Sequence, residues 1–394
     1  MSSATTGLKQ SFLSNLRQSG IFLAFIAIFI LFAFLNPSFL SPTNLTNIVL
    51  QYTYILVLAI GMLLVIVLAQ IDLSVGSVVA LTGAISAVLV IKQGMPWWVG
   101  VLAAIVTGLL VGAWQGFWVA FVGIPGFIVT LAGMLLFRGM TYTVLENVSL
   151  SPFPAEYQYI ANGFLNGLLG GYGIDVFTLV IFGIAVAGFA VSQWRSRKSR
   201  MAYNQQVEAL WLFVVKIVAV AAVVMWFGAQ LAQNRGLPVV LIILSAVAIL
   251  YGLVAARTVF GRHVYAIGGN ISAARLSGVS VKWVTFWVFV NMGFLAGLAG
   301  VLYSSRMNGA QPAAGNSLEL DAIAACFIGG ASTTGGIGRI GGALVGGLIM
   351  AVLSNGMQLM GASSSTQQMV KGLVLLLAVA FDVYNKRRGG ARAA

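Results

Sequence analysis

Apolar residues in this chain do not alternate with polar ones; they run on. Stretches close to the roughly 20 residues that a helix needs to cross a hydrocarbon core recur along almost the whole length. They fall near 21–35, 48–69, 75–91, 97–121, 126–145, 174–194, 210–230, 238–256, 283–303, 319–334, 341–359 and 369–384. The pattern predicts an all-α polytopic integral membrane protein of about twelve spans, with ten as the fallback count. The margin comes from two runs. Segment 75–91 is short, and 319–334 opens on Glu319 and Asp321 and ends in glycines, so either is a candidate broken or re-entrant helix.

Composition agrees. Of 394 residues, 60% are hydrophobic and 7% charged, whereas soluble domains carry about 25% charged residues. Ordinary cytosolic enzymes, disordered chains and nucleic-acid-binding domains are thereby excluded. The net charge of +13, from 21 Lys+Arg and 8 Asp+Glu, is a topology signal. Lys9 and Arg17 precede the first span, Arg195, Arg197, Lys198 and Arg200 follow the sixth, and Arg257, Arg262, Arg275 and Lys282 follow the eighth. Lys386, Arg387, Arg388 and Arg392 follow the last. All of these fall on one side of twelve spans, while 146–173 has Glu146 and Glu156 and no Lys or Arg. The positive-inside rule then predicts that both termini are cytoplasmic. The expected organisation is a cytoplasmic segment 1–20, a transmembrane domain 21–385 and a basic tail 386–394. The first apolar run lacks a small-residue cleavage pattern and reads as a retained anchor.

Catalytic chemistry has little to build on. One cysteine, Cys326, and one histidine, His263, leave no Cys-based or His-rich metal site. No G-x-x-x-x-G-K-[ST] phosphate loop is present. Glycine is abundant, at 47 residues, in rows such as Gly108, Gly112 and Gly116, Gly293 and Gly297, and Gly338, Gly342 and Gly346. The first two rows predict close helix packing. The third, within the dense Gly335–Gly342 run, predicts an irregular loop beside a polar path.

The candidate path residues are polar groups in or beside apolar runs: Asp72, Ser74, Ser77, Thr130, Asn291, Asn355, Glu319 and Asp321. An ionisable group at such a position is a functional candidate. Asp72 equally suits a cap on the third span, and Glu319 and Asp321 suit a helix N-terminus. Their spacing of two puts those carboxylates on different faces. In the loop 257–282, Asn270 is a good N-cap and Gly278 a good C-terminal stop for a short helix containing Ala273, Ala274, Arg275 and Leu276. A helix so short is marginal alone. It packs either on a partner or on its own membrane domain.

These residues carry a resemblance. Ile71-Asp72-Leu73-Ser74-Val75-Gly76-Ser77, Thr130-Leu131-Ala132-Gly133-Met134 with Arg138-Gly139, and the loop from Gly268-Gly269-Asn270 to Gly278 are its first part. Glu319-Leu320-Asp321-Ala322-Ile323-Ala324-Ala325, Gly329-Gly330 and Asn355-Gly356-Met357 complete it. Over nearly its whole length the chain resembles the membrane permeases of bacterial monosaccharide ABC importers, in the ribose, galactose and xylose branch. Gly112-Ala113-Trp114-Gln115-Gly116 and an additional hairpin at 174–232 bring it nearest to D-xylose permeases. The resemblance implies alternating access in a bacterial inner membrane. It also implies that Gly269, Asn270, Ala273, Ala274, Arg275, Leu276 and Gly278 form a coupling helix seated on a separate ATPase subunit. A second permease copy, a periplasmic sugar-binding protein and surrounding lipid are the further implied partners. No cofactor is expected on this chain, ATP being used by the partner. One departure stands out: Ala331-Ser332-Thr333-Thr334-Gly335-Gly336 replaces the family's Thr-Ser-Leu-Ala-Gly-Gly and bears on which sugar is carried. A stand-alone ion-coupled sugar transporter is the alternative; it predicts internal repeats and paired membrane carboxylates.

Overall fold

The computed structural model describes residues 20–205 and 207–390, with backbone alone over 381–390. Segment 1–20, apart from Gly20, and the side chains of the tail 386–394 lie outside the described residues. Helices α1 (Gly20–Leu35), α2 (Pro42–Val67), α3 (Val75–Ala87), α4 (Trp97–Phe117) and α5 (Gly126–Leu145) come first. A short α6 (Ala155–Asn162) precedes α7 (Val176–Ala202), α8 (Leu210–Asn234) and α9 (Val239–Arg257). Then α10 (Val259–Gly269) and α11 (Ile271–Leu276) lead into α12 (Val281–Met307), α13 (Leu318–Ile328), α14 (Ile340–Leu359) and α15 (Ser364–Gly390). Among the described residues, nine helices are long and apolar enough to cross a membrane.

The chain's reversals define two ends. At one end the Gly336 amide donates to Val67 O at 2.8 Å, the Gly126 amide to Gln70 Oε1 at 3.0 Å, and Tyr265 Oη to Gly338 O at 2.8 Å. The tip of the α7–α8 hairpin and the end of α9 share this basic end. At the opposite end Lys92 Nζ meets Glu146 Oε1 at 2.8 Å, and that hydrogen-bonded ammonium holds the Glu146 carboxyl below the usual carboxylate range. Two-residue strands β1 (Phe164–Leu165) and β2 (Leu237–Pro238) pair there, antiparallel. Asp175 caps α7 by accepting from the Thr178 amide and hydroxyl and from the Gly167 amide. Burial pushes the Asp175 carboxyl up, but those hydrogen bonds outweigh it and leave it low.

Helices α2 and α12 form the centre. In α2, 89% of the spanning window is buried, against 6% in α8, which separates bundle from periphery. Glycines set the tightest seam, as expected of helices that associate without a hydrophobic drive. On α4, a Cβ at Gly108 or Gly112 would overlap the Gly293 or Phe289 carbonyl oxygen of α12. Gly112→Leu is therefore expected to part α4 from α12, at a cost of about 1–3 kcal/mol or more. Thermal unfolding in detergent checks this, with Gly139→Leu, whose Cα faces open space, expected to melt like the wild type.

The two runs marked as candidate broken helices differ: with its π-helical last turn α3 runs on to Lys92, 18 residues and long enough to cross, whereas α13 is short. Segment 319–334 does not span: α13 has 11 residues, about half the length that crosses a bilayer. Helix α3 starts inside the bundle, because Gln70–Ser74 is non-helical and climbs along α5. Gln70 bonds to Gly126, Ile71 and Leu73 bond to Thr130 at 3.2 and 3.1 Å, and Ser74 reaches Gln115, which packs on Gly133. From Gly126 to Gly133 is about 10 Å of helix rise. A mirror arrangement follows α12: residues 308–317 descend from the opposite end, the Arg138 guanidinium donating to Pro312 O and Ala314 O. Gly315 and Glu319 then lie directly against Gly76. Helices α3 and α13 thus meet by their N-termini and run to opposite ends, a symmetry that no sequence repeat announces.

Candidate functional site

Beside this meeting point lies a polar cavity of about 530 Å³. Helix α2 supplies Gln51, Tyr52 and Tyr54, α12 Arg306, α13 Leu318 and Asp321, α14 Ser354 and Gln358, and α15 Gln367 and Lys371. The cavity lies in the half of the bundle nearer Glu146, since the ends of α12 and α14 and the beginnings of α2 and α15 frame it. Its floor is an ion pair, with Lys371 Nζ 3.0 Å from each Asp321 oxygen. The Lys371 and Asp321 side chains keep 24% and 11% exposure, so the pair is shielded from bulk water without being sealed. Mutual neutralisation leaves amides, phenols and hydroxyls as the main chemistry, together with the Arg306 guanidinium. That mixture of donors and acceptors, in a volume typical of small-molecule sites, suits a neutral, hydroxyl-rich solute.

Of the eight predicted path residues, only Asp321 lines this cavity. Asp72, Ser74 and Thr130 belong to the bonded segment that leads into α3, Ser77 lies on the first turn of α3, and Glu319 lies against Gly76. Asp72 Oδ1 accepts from the Ser74 amide at 2.8 Å and its hydroxyl at 2.7 Å, and Gln115 Nε2 donates to Ser74 Oγ at 2.6 Å. The capping expectation for Asp72 is corrected: the N-cap of α3 is Ser74, without a side-chain capping bond, and Asp72 closes the turn before it. Ser77 Oγ and Glu319 Oε2 are buried without a hydrogen-bond partner. Asn355 exchanges two hydrogen bonds of 2.9 Å with Asn44, and Asn291 accepts from Tyr251 Oη. Those two asparagines bond neighbouring helices and stay out of the cavity. Glu319 and Asp321 do point apart, one to Gly76 and the other to Lys371.

Lys371 was missed, although a lysine within an apolar run is itself a signal. Gln358 and Gln367 flank span ends, where a polar residue carries little information. The dense glycine run begins in the irregular loop expected of it, but away from the polar cavity. Gly335 and Gly336 pack on Ala69 and Gly269 at the basic end, and Gly342 and Gly346 seat α14 on α13. The hydroxyls of Ser332 and Thr334 bond to each other at 2.8 Å in that loop, away from the cavity.

At the basic end the short helix forms as expected. Asn270 Oδ1 accepts from the Ala273 amide at 2.9 Å, and Gly278 ends the helix at φ +81°. One expectation changes: Ala274 is 5% exposed, packed on its own bundle, whereas Leu276 is 90% exposed. One face of α11 packs on its own bundle and the other is open.

Residues 44–379 match the family described as the permease component of branched-chain amino acid transport systems. The chain belongs to this permease family. It is 40% identical over 372 residues to the xylose transport system permease protein XylH of Haemophilus influenzae, covering 93% of this chain and 97% of that one. Escherichia coli XylH is also 40% identical, over 95% of this chain and 93% of its own. The ribose import permease protein RbsC of Escherichia coli is 36% identical, over 92% and 93%. No solved structure matches significantly. As a permease, the chain is a multi-pass transport component.

Proposed function

We propose that this permease carries a monosaccharide, D-xylose first among candidates, through the polar cavity as the membrane subunit of an ATP-driven importer. The observation that carries the reading is near-full-length likeness to xylose and ribose permeases. The cavity supports it, since its Lys371–Asp321 pair is mutually neutralised, the rest of its lining is mainly hydrogen-bonding groups with Arg306, and a pentose offers hydroxyls and no charge. Twelve passes, with α3 and α13 each completing one crossing together with the chain segment before it and with α1 and α15 included, return both termini to the basic, cytoplasmic side of a bacterial inner membrane. ATP is hydrolysed on a separate subunit, because this sequence has no phosphate loop, and α11 receives the motion. A binding protein delivers sugar at the opposite face, and a second copy of the chain completes the path. No cofactor binds here. Opposed helices that begin at depth also occur in ion-coupled transporters, which is what favours the second reading, a stand-alone secondary transporter.

Uptake of labelled xylose, arabinose, galactose and ribose into proteoliposomes, with cognate ATPase and binding protein, separates these readings. Xylose uptake dependent on ATP is expected, with the other sugars slower. Uptake by the purified chain alone under a proton or sodium gradient overturns the importer.

A further inference from the structure

Outside the sugar path, a groove of about 700 Å³ opens between the last turns of α7 and the end of α9 at the basic end. Gly188, Ser192, Arg195 and Ser199 form one stripe of α7 along it, spaced at helical intervals. Arg200 and Arg257 also line it. Gly188 and Val191 are its small and apolar lining; the rest is three arginines, three serines and Gln193. Among the described residues, no carboxylate pairs with Arg195, Arg200 or Arg257. Arg197, on another face of α7, is committed elsewhere: its guanidinium lies 5.1 Å from the Phe213 ring centroid and donates to Glu208 O. The nearby carboxylate, Glu208, lines an adjoining cleft with Arg197 and Lys216, and Gln193, Ser196 and Arg200 are shared between that cleft and the groove.

The level of the groove is set independently of its charge. Trp194, Trp211 and Trp283, all at this end, are 55%, 66% and 54% exposed, as in the belt that marks a membrane–water boundary. Three guanidinium groups with no carboxylate partner among the described residues, at headgroup level on a peripheral hairpin and beside the small apolar lining at Gly188 and Val191, define the ligand. We propose that this groove binds one anionic phospholipid. Its phosphate would be held by Arg195, Arg200 and Arg257, and an acyl chain would lie past Val191. Planar guanidinium forks favour phosphate over a zwitterionic headgroup whose own ammonium competes for it. The inference requires only a membrane-embedded chain and stands apart from which sugar is carried.

Native mass spectrometry of the full chain in detergent, titrated with phosphatidylglycerol or phosphatidylcholine, tests it. Wild type is expected to retain one phosphatidylglycerol in preference to phosphatidylcholine. Each arginine replaced by glutamine should weaken that preference about fivefold, and the Arg195→Gln/Arg200→Gln/Arg257→Gln variant should lose it. Arg197→Gln should keep it. Should the triple variant fail to fold, Arg257→Gln alone reads the same loss. Equal retention of both lipids, an unchanged preference in the arginine variants, or displacement of the lipid by millimolar inorganic phosphate would overturn the assignment.

Discussion

Leu276→Asp is expected to leave the permease folded and membrane-embedded while abolishing ATP-driven uptake. Leu276 is 90% exposed on a helix of six residues, so the change touches almost nothing in this chain, and such surface substitutions usually shift stability by less than about 0.5 kcal/mol. In a complex the same side chain would enter a groove of the ATPase subunit. An aspartate there would be desolvated without a partner, at a cost of several kcal/mol, enough to break the contact. The measurement is threefold: melting temperature, co-purification of the ATPase subunit, and uptake into proteoliposomes. Normal uptake with an unchanged melt removes α11 from the coupling role. Ala274→Trp is the informative contrast, since Ala274 is buried on its own bundle and a large side chain there should lower the melting temperature first.

The second large effect concerns the ion pair. Lys371→Met leaves Asp321 buried beside an apolar neighbour, and breaking a buried pair from one side costs about 3–5 kcal/mol. The residual exposure of Lys371 brings the expected cost toward the lower value. Asp321→Asn with Lys371→Met removes both charges together, and buried pairs replaced as a unit are often neutral for stability. The single variant should therefore lose both thermal stability and uptake. The double variant should recover stability and still lose at least tenfold in uptake, because the donors and acceptors facing the sugar have changed. Wild-type transport by the double variant would show that the sugar does not pass this floor.

How much of this was readable beforehand varies residue by residue. The Asn270 cap and the Gly278 stop are local signals, written in the residues that make them. The glycine rows on α4 and α12 announced a close approach, but not that each row had the other as its partner. Asp321 could be marked as a candidate from hydropathy alone. Its partner lies 50 positions away on another helix, and nothing local at either position encodes the pairing.

The sequence by itself determined the helical, membrane-embedded class, the basic end and the short capped helix, because burial in lipid, charge placement and capping act over a few residues at a time. Only the tertiary structure decided which apolar runs cross and which stop halfway. A helix that begins at depth is tolerated when other chain segments satisfy its end, and those partners, Thr130 and Gln115 for α3 and Arg138 for the loop before α13, are remote in sequence. The cavity is likewise tertiary. Its walls come from five helices, and their polar faces acquire a common purpose only when packing turns them toward one space.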